Sequence, residues 1–154
     1  MAPEIDQAHF RQVLGHFPTG VVVVASPGPV GTAIGSFQSL SLDPPLVLFS
    51  ITKTSSSWPK IRDTGVFCVS VLAEDQEHVS RAFAQSGADK FAGLGYKPMA
   101  SGSPRIDDCV AWIDCDITDV FDGGDHDIVV GTVRDVAIER EVKPLLFFRG
   151  GYGV

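Results

Sequence analysis

The chain has 154 residues, and 44% of them are hydrophobic, which is enough to bury the core of one domain over residues 1–154. Its 19 acidic and 12 basic residues give a formal net charge of −7, which argues against nonspecific attraction to nucleic acid or an anionic membrane. No apolar run approaches the roughly 20 residues of a membrane-spanning helix, and the N-terminus has no secretory pattern. We therefore expect a soluble cytoplasmic protein.

The chain begins with signals for one helix and one strand. Asp6 can cap a helix whose apolar inner positions are spaced three and four residues apart. These positions are Phe10, Val13, Leu14 and Phe17. Pro18 would end this helix. The β-branched run over residues 21–25 then predicts a strand that is buried on both faces.

Residues 32–57 combine two strand signals with many hydroxyl side chains. Residues 32–40 alternate small or polar side chains with apolar ones and predict one half-buried strand. Residues 46–51 form a continuous apolar run and predict a second, adjacent strand. A serine- and threonine-rich segment follows and leads into a helix, for which Ser57 can be the N-cap and Pro59 a first-turn residue.

The start of this helix has the groups that bind a phosphate dianion. Backbone N–H groups, the positive end of the helix dipole and hydroxyl donors lie near the ammonium group of Lys53. We interpret the segment as a phosphate site. A solvated turn with an ordinary cap is the alternative, because serines are common at helix caps.

The second half of the chain is mostly predicted as strand. Residues 66–72 predict a buried strand, and residues 75–84 a helix with Val79, Ala82 and Phe83 facing inward. Residues 85–108 are rich in glycine, proline and serine and predict a long functional loop or lid. Three more strands are predicted over residues 110–120, 128–138 and 145–149, the first two joined by a turn over residues 121–127.

The three cysteines form no Cys-x-x-Cys pair. Cys109 and Cys115 are an even number of positions apart in a strand-like run, which predicts that they share one face. We interpret both, together with Cys68, as buried free thiols and not as metal ligands.

The order of the predicted elements favours a closed antiparallel barrel over a parallel doubly wound sheet, because strands follow one another and helices do not alternate with them. The chain contains neither a Gly-x-Gly-x-x-Gly motif nor a P-loop motif. Any nucleotide must therefore bind in another way.

Six segments carry a resemblance to a known family. They are Phe17-Pro18-Thr19-Gly20-Val21, Gly35-Ser36-Phe37, Ser39-Leu40-Ser41-Leu42-Asp43-Pro44-Pro45-Leu46-Val47, Ser55-Ser56-Ser57-Trp58, Gly124-Asp125-His126-Asp127-Ile128 with Gly131, and Pro144-Leu145-Leu146-Phe147. In this order and combination they resemble the flavin reductase family, over almost the whole chain.

This resemblance implies a mainly β fold, an antiparallel Greek-key split β-barrel that binds FMN and carries a few short peripheral helices. It also implies an NAD(P)H:flavin oxidoreductase that reduces FMN or FAD with NADH or NADPH. Members of the family are typically homodimers, and many supply reduced flavin to a separate partner monooxygenase.

The resemblance implies three groups of cofactor-binding residues. Those beside the flavin ring are Thr32, Ala33, Ser36, Phe37, Gln38 and Ser39. Those that hold the flavin phosphate are Lys53, Ser55, Ser56 and Ser57. Phe148 and Tyr152 would end the chain near the flavin, although packing at a sheet edge explains them equally well.

His126 would border the nicotinamide-binding face of the flavin in this family. We assign it a role in placing NADH and in offsetting charge as the flavin gains a hydride, with Asp125 fixing its tautomer. Taken alone, a histidine between two aspartates in a glycine-rich turn is also typical of a solvated loop. Arg81 and Lys90 could meet a nucleotide phosphate or be solvated, whereas His16 is interpreted as a surface or packing residue.

The chain departs from the family at Thr32-Ala33-Ile34-Gly35-Ser36, where a Met-Thr-x-Asn-Ser style run is common. A threonine hydroxyl and an asparagine amide are thereby lost, and Gly35 leaves room for a bulkier, adenine-bearing flavin. Whether flavin is a bound cofactor or a passing substrate stays open at this point. A relative of the pyridoxamine phosphate oxidases and a flavin or haem carrier without turnover are the alternatives.

Overall fold

The computed structural model describes residues 4–87 and 89–153. Within them lie three helices: α1 (Gln7–Leu14), α2 (Trp58–Thr64) and α3 (Glu77–Phe83). The strands are β1 (Thr19–Gly20), β2 (Val22–Ser26), β3 (Val30–Ile34), β4 (Gln38–Leu42), β5 (Pro45–Thr52), β6 (Val66–Val71), β7 (Tyr96–Pro98), β8 (Pro104–Ile106), β9 (Ala111–Gly123), β10 (His126–Ile138), β11 (Leu146–Phe148) and β12 (Gly151–Tyr152). None of these helices is long and apolar enough to cross a membrane.

Seven strands form the main sheet, in the order β3-β2-β6-β9-β10-β5-β4, with every neighbouring pair antiparallel. Strands β1, β11 and β12 form a small second sheet, and β7 and β8 form a separate hairpin. The prediction of a mainly β, antiparallel fold with a few short helices is confirmed.

Strand β2 is buried along its whole length, as its β-branched run predicts. Successive side chains of a strand point to opposite faces. Val24 therefore packs with Phe67 in one core cluster, whereas Val23 packs with Phe83 in another. The chain thus builds apolar layers on both faces of its central strands.

The apolar face of α1 is not directed inward. The helix begins as predicted, since Asp6 Oδ1 accepts a hydrogen bond from the Ala8 backbone N at 3.2 Å, but it ends at Leu14 and not at Pro18. The predicted inner positions are exposed, with Phe10 at 52%, Leu14 at 54% and Phe17 at 76%. Within the described residues, this face contacts no other element closely enough to be buried.

The predicted strand over residues 32–40 is two strands, β3 and β4, which lie at opposite edges of the main sheet. Gly35, Ser36 and Phe37 leave strand geometry between them, and we call these three residues the crossover. A Cβ on Gly35 would lie 3.0 Å from Thr19 Oγ1. Phe37 packs against the core. The prediction failed because these long-range contacts outweigh the local alternation.

The hairpin of β9 and β10 extends further than predicted. His126 pairs with Gly123 on one side and with Thr52 of β5 on the other, so only two residues of the predicted turn remain outside the strands. Gly124 has a φ of +78°, a conformation that glycine adopts without a steric penalty and that allows a two-residue turn.

The predicted loop over residues 85–108 is partly ordered strand. It contains the β7–β8 hairpin, and it buries Phe91 and Ile106 in the core. The buried carboxylate of Asp114 accepts hydrogen bonds from the Ser101 backbone N at 3.0 Å and from Ser101 Oγ at 2.6 Å. These contacts tie the segment to β9. One residue of the range, Ala88, lies outside the described residues.

All three cysteines are buried free thiols, as predicted. Cys109 and Cys115 do not share a face, however, because Cys109 precedes β9. It packs with Cys68 and Trp112, whereas Cys115 packs with Phe67 in a different cluster. No group of possible metal ligands occurs among residues 4–87 and 89–153.

Candidate functional site

A gap in the barrel forms the centre of the site. Strand β5 pairs with β10 from Leu46 to Thr52, but its other side pairs with β4 only from Pro45 to Leu48. Past Leu48, β5 faces β3 across a cavity of about 310 Å³, here called the β3–β5 cavity. Its lining residues are Thr32, Ala33, Ile34, Gly35, Ser36, Ser50, Ile51, Thr52, Ser55 and His126.

Five of the residues expected to bind cofactor or substrate meet in this cavity: Thr32, Ala33, Ser36, Ser55 and His126. Sequence analysis missed Ser50 and Thr52. Both alternate along β5 with the buried residues Phe49 and Ile51. Apolar and polar residues alternate over residues 49–52, and this alternation is the signal that identifies them. The interpretation of residues 46–51 as a continuous apolar run hides it.

The hydroxyl group of Ser36 stabilises the crossover. It donates a hydrogen bond to the Ser50 carbonyl O at 2.7 Å and accepts one from the Ser50 backbone N at 3.0 Å. It thus takes the place of a neighbouring strand for this part of β5. Because that hydroxyl is engaged, the backbone of the crossover is better suited than the Ser36 side chain to contact a ligand.

Ser55, and not Ser57, caps helix α2. Ser55 Oγ accepts hydrogen bonds from the backbone N atoms of Ser57 and Trp58, each at 3.3 Å. Ser57 occupies the N-cap position with helical dihedral angles and no side-chain capping bond. Its hydroxyl donates instead to the Gly31 carbonyl O at 3.2 Å. The cap is therefore displaced by two residues from the predicted position.

A second cavity, of about 510 Å³, lies on the other side of the hydroxyl-rich segment. Ser56, Ser57, Lys60 and Lys90 line it, and we call it the lysine cavity. Lys90 Nζ lies 3.1 Å from the Gly31 carbonyl O and 3.4 Å from Ser57 Oγ. Burial lowers the pKa of Lys90. A neighbouring anion would offset that desolvation.

Lys53 does not join the serines. Its ammonium group forms an ion pair with Asp122 of β9, and its backbone N donates to the Asp125 carbonyl O at 3.0 Å. The hydrogen bond to Asp122 raises the pKa of Lys53 and lowers that of Asp122. Lys53 therefore fixes the β9–β10 hairpin to the end of β5, and Lys90 is the cation beside Ser57.

His126 lies at the mouth of the β3–β5 cavity, where the β9–β10 hairpin turns. Its Nδ1 is 2.7 Å from Asp125 Oδ1, and this hydrogen bond lowers the pKa of Asp125. A carboxylate accepts and does not donate, so Nδ1 carries the proton and Nε2 is left to contact a ligand.

The remaining predicted residues lie outside the β3–β5 cavity. Gln38 and Ser39 are exposed on β4. Tyr152 lines a smaller adjoining cavity of about 170 Å³, together with Ala33, and its hydroxyl is 2.8 Å from Ser80 Oγ. Phe148 is separate, with its ring 6.2 Å from that of His16.

Comparison with known proteins identifies the family. Residues 14–154 match the model of the flavin reductase like domain. A flavin reductase of Pseudomonas putida is 51% identical over 153 residues, which are 97% of this chain and 90% of the relative. The chain belongs to the flavin reductase family.

Two solved structures have the same fold. Nitrilotriacetate monooxygenase component B from Mycobacterium thermoresistibile superposes with a TM-score of 0.93 at 51% identity, covering 96% of this chain and 86% of that one. An NADH:FAD oxidoreductase of Streptomyces globisporus, in complex with NAD and FAD fragments, superposes with a TM-score of 0.92 at 34% identity, covering 99% and 96%. The split-barrel prediction is confirmed.

Proposed function

We propose that the β3–β5 cavity holds the ring of FMN or FAD while NADH or NADPH reduces it. The chain is an NAD(P)H:flavin oxidoreductase by its family. The observation that supports this location is a polar gap between β3 and β5, bordered by the crossover and by His126. Beyond Leu48, no strand of the described chain pairs with β5 on that side, and the Ser36 hydroxyl holds the Ser50 backbone groups instead.

The walls of the cavity fit an isoalloxazine ring. Such a ring has nitrogen and oxygen acceptors at one edge and an apolar dimethylbenzene end. The cavity presents hydroxyl groups of Thr32, Ser50 and Thr52 together with the apolar side chains of Ala33 and Ile34. Its volume of about 310 Å³ also lies within the range of small-molecule sites.

We assign the flavin phosphate to the Ser55–Ser57 segment. This segment separates the β3–β5 cavity, which Ser55 lines, from the lysine cavity, which Ser56 and Ser57 line. Lys90 and Lys60 supply positive charge there. This assignment replaces Lys53 with Lys90, because Lys53 pairs with Asp122.

The residues act by binding and orientation. When bound, the flavin supplies the hydride-accepting chemistry, and the nicotinamide is the hydride donor. Holding two rings in contact can account for a large part of such a rate enhancement. We assign to His126 the orientation of the nicotinamide through Nε2, which the hydrogen bond from Nδ1 to Asp125 leaves available.

We further propose that the protein supplies reduced flavin to a partner monooxygenase. The Mycobacterium thermoresistibile relative, a monooxygenase component, supports this. Residues 1–154 would act as one domain. The three free thiols favour a reducing compartment, and this supports a cytoplasmic location.

The homodimer is also a proposal. It is supported by the exposed apolar face of α1 and by Leu42, which is 95% exposed. A second copy of the chain would cover these surfaces.

Oxidation of NADH in air tests the function. Loss of the reduced-nicotinamide absorbance is followed without flavin, with FMN and with FAD, and each series is repeated with NADPH. Strong flavin-dependent turnover is the expected result, and its rates rank the flavins and nicotinamides. No turnover under any of these conditions would contradict the proposal and favour a flavin carrier.

A further inference from the structure

Two arginines and a histidine surround a cavity of about 210 Å³ between α1 and the C-terminal turn. We call it the arginine cavity. Its lining residues are Arg11, Gln12, Gly15, His16, Arg149 and Gly150. None of these cavity residues belongs to the β3–β5 cavity or to the lysine cavity. The function described above leaves the arginine cavity unexplained.

Neither arginine of this cavity forms a salt bridge within the described residues. Five arginines of the described chain pair with carboxylates: Arg62, Arg81, Arg105, Arg134 and Arg140. Within residues 4–87 and 89–153, Arg11 and Arg149 form no such pair. Two arginines without a salt bridge therefore line one small cavity in a chain whose net charge is −7. This is the arrangement expected of an anion site.

The backbone conformation of Arg149 is a second, independent observation. Its φ is 53°, in the left-handed region that residues with a Cβ rarely adopt. The Arg149 backbone N donates to the Gly15 carbonyl O at 2.9 Å, which holds the turn against the end of α1. Such conformations cluster at binding sites because their surroundings must enforce them.

His16 adds a third polar group. Its Nδ1 donates to the Gln12 carbonyl O at 2.9 Å, so Nε2 is the ring nitrogen left for a ligand. The residues that line the cavity are spaced along one side of α1, opposite the exposed apolar face that contains Phe10 and Leu14. His16 is exposed and packs its ring against Phe148, as the prediction of a surface or packing residue has it, and its Nε2 is free to take part in binding as well.

Strand β11 connects the arginine cavity to the proposed flavin site. Its Phe147 lines the cavity of about 170 Å³ together with Ala33 and Gly35, which also line the β3–β5 cavity. Arg149 follows Phe147 by two residues and lines the arginine cavity. A dinucleotide whose nicotinamide lies at the β3–β5 cavity would therefore have the rest of its nucleotide within reach of the arginine cavity.

We propose that Arg11, His16 and Arg149 bind a phosphate group of the reduced nicotinamide dinucleotide. The proposal rests on the function proposed above. Guanidinium groups bind phosphate oxygens in a bidentate manner. The cavity is smaller than the ~300–1,000 Å³ of sites that enclose whole drug-sized ligands, so it takes a phosphate group and not the entire dinucleotide.

Two phosphates could supply this anion, namely the pyrophosphate bridge common to NADH and NADPH and the 2′-phosphate present only in NADPH. Arg11→Gln and Arg149→Asn test them, because glutamine is a good helix former and asparagine tolerates the left-handed conformation. Each substitution should raise the KM for the dinucleotide about tenfold and leave kcat unchanged. Lys97→Gln, which removes an exposed cation on β7, is the matched control.

The nucleotides distinguish the two phosphates. A rise in KM for both NADH and NADPH assigns the pyrophosphate bridge, whereas a rise for NADPH alone assigns the 2′-phosphate. Normal turnover with unchanged KM for both nucleotides in both variants would overturn the proposal and leave the reductase function intact.

A binding measurement separates this proposal from the reductase function. Calorimetric titration with inorganic pyrophosphate needs no turnover, and the wild type and Lys97→Gln should bind it more tightly than Arg149→Asn does. Because the lysine cavity also attracts phosphate, the test is the difference between variants. Equal binding by all of them would contradict the assignment, and Arg149→Lys should bind with intermediate affinity because it keeps the charge without the bidentate geometry.

Discussion

At the scale of single residues, Gly131 shows how closely the core is packed. It lies in β10, where a Cβ would come within 2.5 Å of Phe67 Cζ and 3.1 Å of Cys115 Cβ. Gly131→Ala should therefore lower the free energy of unfolding by about 1–3 kcal/mol. Urea denaturation measures this change. Gly20→Ala is the control, because a Cβ there would meet nothing within 4 Å. Equal stability of the two variants would contradict the prediction and show that the core accommodates the added methyl group.

His126 is the residue for which the sequence suggests a role in catalysis, and the structure gives it an available Nε2. His126→Ala should raise the KM for NADH or slow flavin reduction, and it should leave flavin affinity unchanged, because His126 lies at the mouth of the cavity and the other lining residues remain. Stopped-flow reduction and flavin titration measure the two quantities separately. Unchanged kinetics would exclude the role, and Asp125→Asn should give a smaller effect of the same kind.

The buried thiols make the free energy of unfolding depend on pH in the alkaline range. Burial raises the pKa of Cys109 to about 11 and that of Cys115 to about 12, from an ordinary value of 9.0. The unfolded chain therefore loses these protons first as the pH rises. The contribution of these two thiols to the free energy of unfolding is complete below pH 9 and is lost progressively as the pH rises towards 11 to 12.

A thiol reagent at pH 8 tests this environment. The native protein should react slowly, because the thiolate is the reactive form, and the denatured chain should react at three thiols. Rapid reaction of the native protein would contradict the burial of Cys109 and Cys115.

At the scale of elements, the N-terminus of α2 combines two roles in neighbouring serines. Ser55→Ala removes the cap and should lower the free energy of unfolding by about 1 kcal/mol, whereas Ser56→Ala, at an exposed position, should not. If this segment holds the flavin phosphate, both variants should lose more affinity for FMN than for riboflavin. Denaturation and flavin titration measure the two effects. Equal loss for both ligands would remove the phosphate assignment.

Some strand boundaries can be predicted from the sequence and others cannot. Strand β2 was predicted because a β-branched run needs no distant partner to be recognised. The separation of β3 from β4 could not be predicted, because it depends on contacts of Gly35 with Thr19 and of Ser36 with Ser50. Periodicity continues through the crossover and contains no signal for either contact.

The same limit applies to the site. The resemblance predicts a role for Ser55–Ser57 and His126, but it could not reveal that Asp122 pairs with Lys53. Asp122 is 69 residues away from Lys53 along the chain, and the pairing of β10 with both β5 and β9 brings the two together. The arginine cavity likewise combines residues from the two ends of the chain.

At the scale of the whole molecule, the amphipathic pattern of α1 has an explanation outside the single chain. Its apolar face is exposed, and a second copy would bury it. Sedimentation equilibrium should report about twice the mass of one chain. Phe10→Ser combined with Leu14→Ser should shift the mass towards that of a single chain, because each substitution removes apolar contact area.

Gln12→Ser serves as the control for the dimer, since Gln12 lies on the opposite, polar side of α1. It should leave the mass unchanged. A wild-type protein that sediments as a single chain would contradict the proposed homodimer.

The crossover has one more consequence, which concerns solubility. Strands β3 and β4 end the main sheet on its two sides, and unpaired strand edges are templates on which further chains can add and form fibrils. The part of β5 beyond Leu48 is a third such edge. Ser36 binds the backbone N and O of Ser50 and so prevents another chain from pairing with β5 at that residue. A ligand in the gap would cover more of this edge. If flavin occupies the β3–β5 cavity as proposed, its loss from the cell would leave this edge open to pairing with other chains and would favour aggregation.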